Sequence, residues 1–169
     1  VINSEPQRST PIYDPSTGNP IAQVPQCPAA EVEKAVAAAK AAFPAWKNTP
    51  VRTRAGIMMK LRGLIERDKE ELTRMVATEN GKCWSEAAGD VAKALEMTEL
   101  ACSAPSLLMG ESLMDTSRGY DTTLYREPIG VFAGIAPWNF PAMIPVGWMA
   151  PLAIVCGNTF VLKPASTSQ

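Results

Sequence analysis

Residues 128–162 carry no charged side chain, and this run constrains the fold more than any other feature of the chain. It is long enough to span a bilayer. However, it holds Pro137, Pro141, Pro145 and Pro151, with Gly134, Gly147, Gly157 and Asn139 among them. A lone spanning helix would be broken at most of its turns. A buried strand–helix–strand unit fits better, because parallel strands covered on both faces read as continuous apolar runs. The run divides accordingly. Residues 129–136 (IGVFAGIA) read as a buried strand, and 141–156 as a helix entered through Pro-Trp-Asn-Phe-Pro. Gly157-Asn158 reads as its C-cap and turn, and 159–162 (TFVL) as a second buried strand with Lys163-Pro164 at its carboxyl end. The crossover is expected to be right-handed. Two parallel strands cannot cover their own edges and faces, so the expectation is part of a larger domain, interrupted at residue 169.

The chain before this run is largely helical. Residues 11–25 (PIYDPSTGNPIAQVP) have the turn chemistry of a small hairpin, a surface loop being the alternative. Val32, Val36, Ala39 and Phe43 mark one face of a helix over 29–43, which Pro44 is expected to stop. A second helix covers 51–67 with Ile57, Met58, Leu61, Leu64 and Ile65 on one side. A third covers 68–78, with Asp68 as N-cap, Leu72, Met75 and Val76 buried, and Gly81 as its end. A fourth covers 84–109 with Val91, Leu95, Leu100 and Leu107 near one face, and Pro105 kinks or ends it. Met58, Met59, Met97, Met109 and Met114 read as core fillers. The mixed charges of residues 62–74 read as a solvated helix face. Thr122 to Arg126 alternate as a short strand.

Composition narrows the function classes. Hydrophobic residues make up 46% and charged residues 20% of 169, a globular balance. A net charge of −1 lacks the electrostatic footprint of a nucleic-acid binder. No His is present, which excludes His-dependent triads and His metal ligation in this stretch, and no metal site is expected. Cys27, Cys83, Cys102 and Cys156 are widely spaced and form no CxxC pair. They read as reduced thiols of a cytoplasmic protein, or one of the mitochondrial matrix in a eukaryote. The first residues (VINSEPQRST) show no signal-peptide pattern, and no membrane association is expected.

In an open α/β sheet, ligands sit beyond the carboxyl ends of the strands. Two peptides take that place: Ala136-Pro137-Trp138-Asn139-Phe140-Pro141 and Lys163-Pro164-Ala165-Ser166. The prolines stiffen the first. The amide of Asn139 can donate to a developing oxyanion, or it can cap the following helix. Lys163 can hold a nucleotide's ribose or phosphate, or simply snorkel to solvent. No GxGxxG or Walker A pattern is present.

The motif PWNFP followed by GN-x-x-V-x-KP resembles the aldehyde dehydrogenase superfamily. So do DPSTGNP, AFPAW and the E-x-GK turn of Glu79, Gly81 and Lys82. ACSAPSLLMGES, YREPIGV, FPAMIP and CGNTF look most like the methylmalonate-semialdehyde dehydrogenases. The resemblance covers residues 11–166, about the first third of a family member. It implies an α/β fold in which a helical layer packs against the start of a Rossmann-like parallel sheet. Residues 1–120 would form the hairpin and helices of the cofactor-binding domain, 121–128 a strand of the oligomerisation arm, and 129–169 the first βαβ of the dinucleotide-binding sheet. It also implies oxidation of a small aldehyde by NAD or NADP through a cysteine thioester, with CoA as acyl acceptor, in a homodimer or homotetramer.

By motif, Asn139 would be the oxyanion donor. Ala136, Pro137 and Trp138 would line the nicotinamide-ribose side, and Phe140 would border the aldehyde tunnel. Lys163 would bond the adenosine ribose, with Ser166 beside it. The family's catalytic cysteine lies later in the chain, and none of the four cysteines here has its context.

Two departures bear on the chemistry. Ser166 stands where many NAD-using members have Glu, which leaves NADP open. Lys93 stands where methylmalonate-semialdehyde dehydrogenases carry a substrate-binding Arg; it keeps the charge without the bidentate fork. The alternatives are an NADP-linked, non-acylating succinate-semialdehyde-type dehydrogenase and a non-catalytic nucleotide-binding or assembly fragment.

Overall fold

The computed structural model describes residues 8–168. The reading of the first residues as free of a signal pattern therefore falls largely outside them, and so does Gln169. An antiparallel hairpin opens the structure, β1 (Ser9–Tyr13) with β2 (Pro20–Pro25), as its turn chemistry predicts. Four long helices follow: α1 (Ala29–Lys47), α2 (Val51–Arg67), α3 (Lys69–Asn80) and α4 (Trp84–Cys102). A short α5 (Ala104–Leu107) leads into an antiparallel hairpin of β3 (Glu111–Ser117) and β4 (Tyr120–Leu124). Then comes β5 (Val131–Ile135), a crossover helix, and β6 (Thr159–Lys163), which pairs parallel to β5. The fold is α/β, as expected.

Helix α4 is the spine of the core. Its inward stripe is built from small residues, Ala87, Val91, Ala94, Thr98 and Ala101, all buried. Full burial of Val91 is worth about 1.5–3 kcal/mol relative to exposure. Small side chains let neighbours approach closely: a Cβ on Gly147 would lie 3.1 Å from the Cα of Ala94. Ala55, Met58, Ala101, Ala104 and Val155 form one buried cluster, and Ile65, Val76, Ala87 and Val91 a second.

Several expectations need correction. Pro44 does not stop α1; it sits in the last turn, and the helix runs on to Lys47. The extension carries Trp46 to the crossover helix, where its indole Nε1 donates to the carbonyl of Ile154 at 2.8 Å. The inward stripe of α1 is Ala35, Ala39, Phe43 and Trp46, each half-buried, while Val32 and Val36 are exposed. Asp68 precedes α3, but its carboxylate turns to Arg67 and makes no side-chain cap. Gly81 ends α3 as expected. Helix α4 ends at Cys102, two residues before Pro105 can act, and Pro105 instead lies at the start of α5. Met59, Met109 and Met114 are exposed, so only part of the methionine set fills the core. Ile57, Leu64, Met75, Leu100 and Leu107 are also exposed.

The crossover helix forms despite its prolines, but it starts as π-helical turns over Met143–Met149 before tightening into α6 (Ala150–Val155). Pro145 and Pro151 each lack an amide donor, which interrupts the regular i→i−4 ladder. Gly134 on β5 is what lets this helix lie against the sheet. A Cβ there would sit 2.6 Å from the Phe160 ring and 2.9 Å from Met149 Sδ. Strand β5 is less buried than its apolar sequence suggests: Ile135 and Val131 are exposed. No helix among the described residues is long and apolar enough to cross a membrane.

Candidate active site

The parallel register brings the two strand-end peptides side by side. Ile135 pairs with Lys163, and the amide of Ala136 donates to the carbonyl of Lys163 at 3.0 Å. Ala136 is buried and so fixes the point where the chain leaves the sheet. From there the loop 137–141 projects outward with Trp138, Asn139 and Phe140 exposed.

Three residues from the helical layer hold this loop. The Asn80 side-chain amide, at the end of α3, donates to the carbonyl of Trp138 at 2.8 Å. Asp90 on α4 has a fully buried side chain. Its Oδ1 accepts from the amide of Met143 at 2.7 Å, and its Oδ2 accepts from Lys82 Nζ at 3.1 Å. Lys82 is itself mostly buried, and its ammonium lies 4.2 Å from the centroid of the Phe140 ring, within cation–π range.

Of the two roles open to Asn139, the helix cap is taken by another residue. The first amide of the crossover helix is capped by Asp90 from another helix, and no side-chain cap comes from the loop. Among the described residues the Asn139 amide makes no hydrogen bond, so its donors are free to meet a ligand. Asn80 and Asp90 were not singled out in the sequence, and Lys82 figured only in a motif. One signal was available for Asp90: it sits within the inward stripe of α4, between Ala87 and Ala94, where a charge demands a partner.

Lys163 and Ser166 line a cleft of about 620 Å³ between β2, the start of α1 and the end of β6. Thr10, Val24, Gln26 and Val32 form part of its wall. Lys163 Nζ donates to Ser166 Oγ at 3.1 Å, so the structure brings these two predicted residues into contact. Lys93 is not joined to them or to the loop; its ammonium pairs with Glu96 at 2.6 Å on the exposed face of α4.

The aldehyde dehydrogenase family model matches residues 1–169. The chain belongs to the aldehyde dehydrogenase family. It is 48% identical over 164 residues to a malonate-semialdehyde dehydrogenase of Bacillus pumilus, covering 97% of this chain and 34% of that protein. The structure matches a methylmalonate-semialdehyde dehydrogenase from Oceanimonas doudoroffii with a TM-score of 0.95 and 41% identity, over 99% of this chain and 34% of that one. It also matches a protein from Sinorhizobium meliloti 1021, solved with NAD and described as a candidate methylmalonate-semialdehyde dehydrogenase. That match has a TM-score of 0.93 and 37% identity, over 99% and 34% of the two chains. The chain thus spans about a third of the length of the relatives it matches.

The cysteines of this aldehyde dehydrogenase sequence are all unpaired. Burial pushes the thiol of Cys102 up, and the carboxylate of Glu99 adds to this. Burial likewise raises Cys156, partly offset by the Arg54 guanidinium. A raised thiol value keeps both as protonated, poor nucleophiles at neutral pH. Among the described residues no group of three or more His, Cys, Asp or Glu could hold a metal ion.

Proposed function

We propose that these residues form the cofactor-facing and oxyanion-stabilising part of an NAD(P)-dependent aldehyde dehydrogenase that oxidises malonate or methylmalonate semialdehyde and passes the acyl group to CoA. The observation that carries this reading is the pairing of Ala136 with Lys163, which sets the free Asn139 amide and the Lys163–Ser166 pair at one end of the sheet.

The bound nicotinamide cofactor would accept the hydride. The residues of this chain fit such a group: a cleft with an apolar wall and a lysine–hydroxyl pair in its lining matches a nucleoside with its ribose hydroxyls. Lys163 would bind the adenosine ribose with Ser166 beside it. Ser166 brings no carboxylate that would repel a 2′-phosphate, which favours keeping NADP beside NAD. Ala136, Pro137 and Trp138 would border the nicotinamide ribose, and Phe140 the aldehyde. Asn139 would donate to the oxygen that gains charge as a cysteine attacks the aldehyde carbon. Such a donor, pre-aimed and desolvated, lowers the barrier most where charge develops. The nucleophile would come from outside these residues, since none of the four cysteines lies in the 137–141 loop or stands in the family's catalytic context, although Cys27 lines the cleft. Lys93 would serve the substrate carboxylate only after leaving Glu96.

The hairpin of β3 and β4 is exposed along both strands, and residues 121–128, which begin in β4 and run beyond it, would contribute to the arm of a homodimer or homotetramer. The domain division at 1–120, 121–128 and 129–169 and a cytoplasmic location follow from the same reading. The test is an assay of the whole enzyme that carries these residues, with each semialdehyde, with NAD and NADP, and with and without CoA. CoA-dependent turnover of the malonate or methylmalonate compound is expected. CoA-independent turnover of succinate semialdehyde with NADP would replace the acylating reading with the non-acylating one.

A further inference from the structure

We infer that Lys82 is a positioning residue that sets the aim of Asn139 by fixing the ring next to it. The proposal rests on the reading of Asn139 as the oxyanion donor and goes beyond it by naming what holds that donor in place. Asn139 has no hydrogen bond of its own among the described residues, so its direction depends on its two neighbours in the loop. On one side the carbonyl of Trp138 is fixed by Asn80 at 2.8 Å. On the other side the ring of Phe140 lies 4.2 Å from Lys82 Nζ.

Lys82 cannot drift. Its ammonium is mostly buried and bonded at 3.1 Å to Asp90 Oδ2, whose side chain is fully buried. The other oxygen of Asp90 caps the amide of Met143 at 2.7 Å, three residues beyond Phe140. One carboxylate therefore ties both the ring and the helix that follows it to α4. A merely stabilising ion pair would not need its cation on the face of a loop aromatic. A misplacement of about 1 Å at a reacting centre can lower turnover roughly a hundredfold, so a device that holds the ring acts on kcat rather than on cofactor binding.

The experiment is a double-mutant cycle in the whole enzyme with K82M, N139A and their combination, and with K82R as the conservative variant. K82M is expected to lower kcat roughly tenfold to a hundredfold while the KM for the nicotinamide cofactor stays within about threefold. K82R should recover most of the loss, because it keeps the charge for Asp90 and for the ring. In the N139A background K82M should add little, because the two act through one group. Full additivity of the two losses, or a K82M enzyme with normal kcat beside a crippled N139A enzyme, overturns the proposal and leaves the role of Asn139 standing. An N139A enzyme with normal kcat overturns that role and this proposal with it. Should K82M fail to fold, D90N takes its place in the cycle. It keeps an oxygen for Met143 but frees Lys82, and the same non-additivity with N139A is expected.

Discussion

The two ends of the crossover helix are held by different means. At its C-terminal end, every side-chain partner donates to a backbone carbonyl. Trp46 donates to Ile154, and Arg54 Nε donates to the carbonyl of Val155 at 2.8 Å. Asn158 donates through its side chain to Ala153 at 3.1 Å. Helix ends leave four carbonyls without partners, and here side chains from α1, α2 and the following turn donate to three of them. At the N-terminal end the partners are a charged pair, Asp90 and Lys82, and beside them lies an exposed loop in which the Asn139 side-chain amide makes no hydrogen bond among the described residues. One end is a closed set of hydrogen bonds. The other is a support for something that must stay open. On the proposed function, the difference separates what keeps the fold from what would serve the chemistry, on a single helix.

Substitutions at the closed end should lower stability and leave turnover per folded molecule intact. The largest effect is expected from Arg54→Met. Arg54 is 6% exposed, and burial pulls its guanidinium down from the usual value. It also donates to the carbonyls of Lys47 and Thr49, which joins α1 to α6. Removing it strands buried acceptors and should cost about 3 kcal/mol, read as a lower urea midpoint of the whole enzyme. A smaller loss, about 2 kcal/mol, is expected for Asn158→Ala. Its Oδ1 accepts from the amides of Ile129 and Gly130 at 2.8 and 3.1 Å, the point where the chain enters β5. If either variant reduced kcat while leaving the midpoint unchanged, the division between the two ends would fail.

Much of this arrangement was legible beforehand, and the gaps have physical causes. The strand–helix–strand order was legible because uncharged apolar runs punctuated by Gly and Pro leave few alternatives. Asn139 and Lys163 were legible because both stand where strands end. Arg54 and Asp90 were not, because each sits in a helical stripe whose partners lie far along the chain. Arg54 meets Val155, and Asp90 meets Met143, and no local period reports such pairs. Pro44 misled for a related reason: local chemistry argued for a stop, but the packing of Trp46 against α6 favours another turn. Strand β3 escaped notice because its side chains are exposed throughout, so it carries no inward-facing pattern.

The account rests most heavily on Asn139. The measurement that tests it is kcat and cofactor affinity of the whole enzyme with Asn139→Ala against the unaltered protein, using the semialdehyde that turns over. Loss of one oxyanion donor predicts a kcat lower by roughly a hundredfold to a thousandfold, with cofactor affinity and urea midpoint unchanged. A kcat within about threefold of the unaltered enzyme, set against that expected loss, would contradict the account.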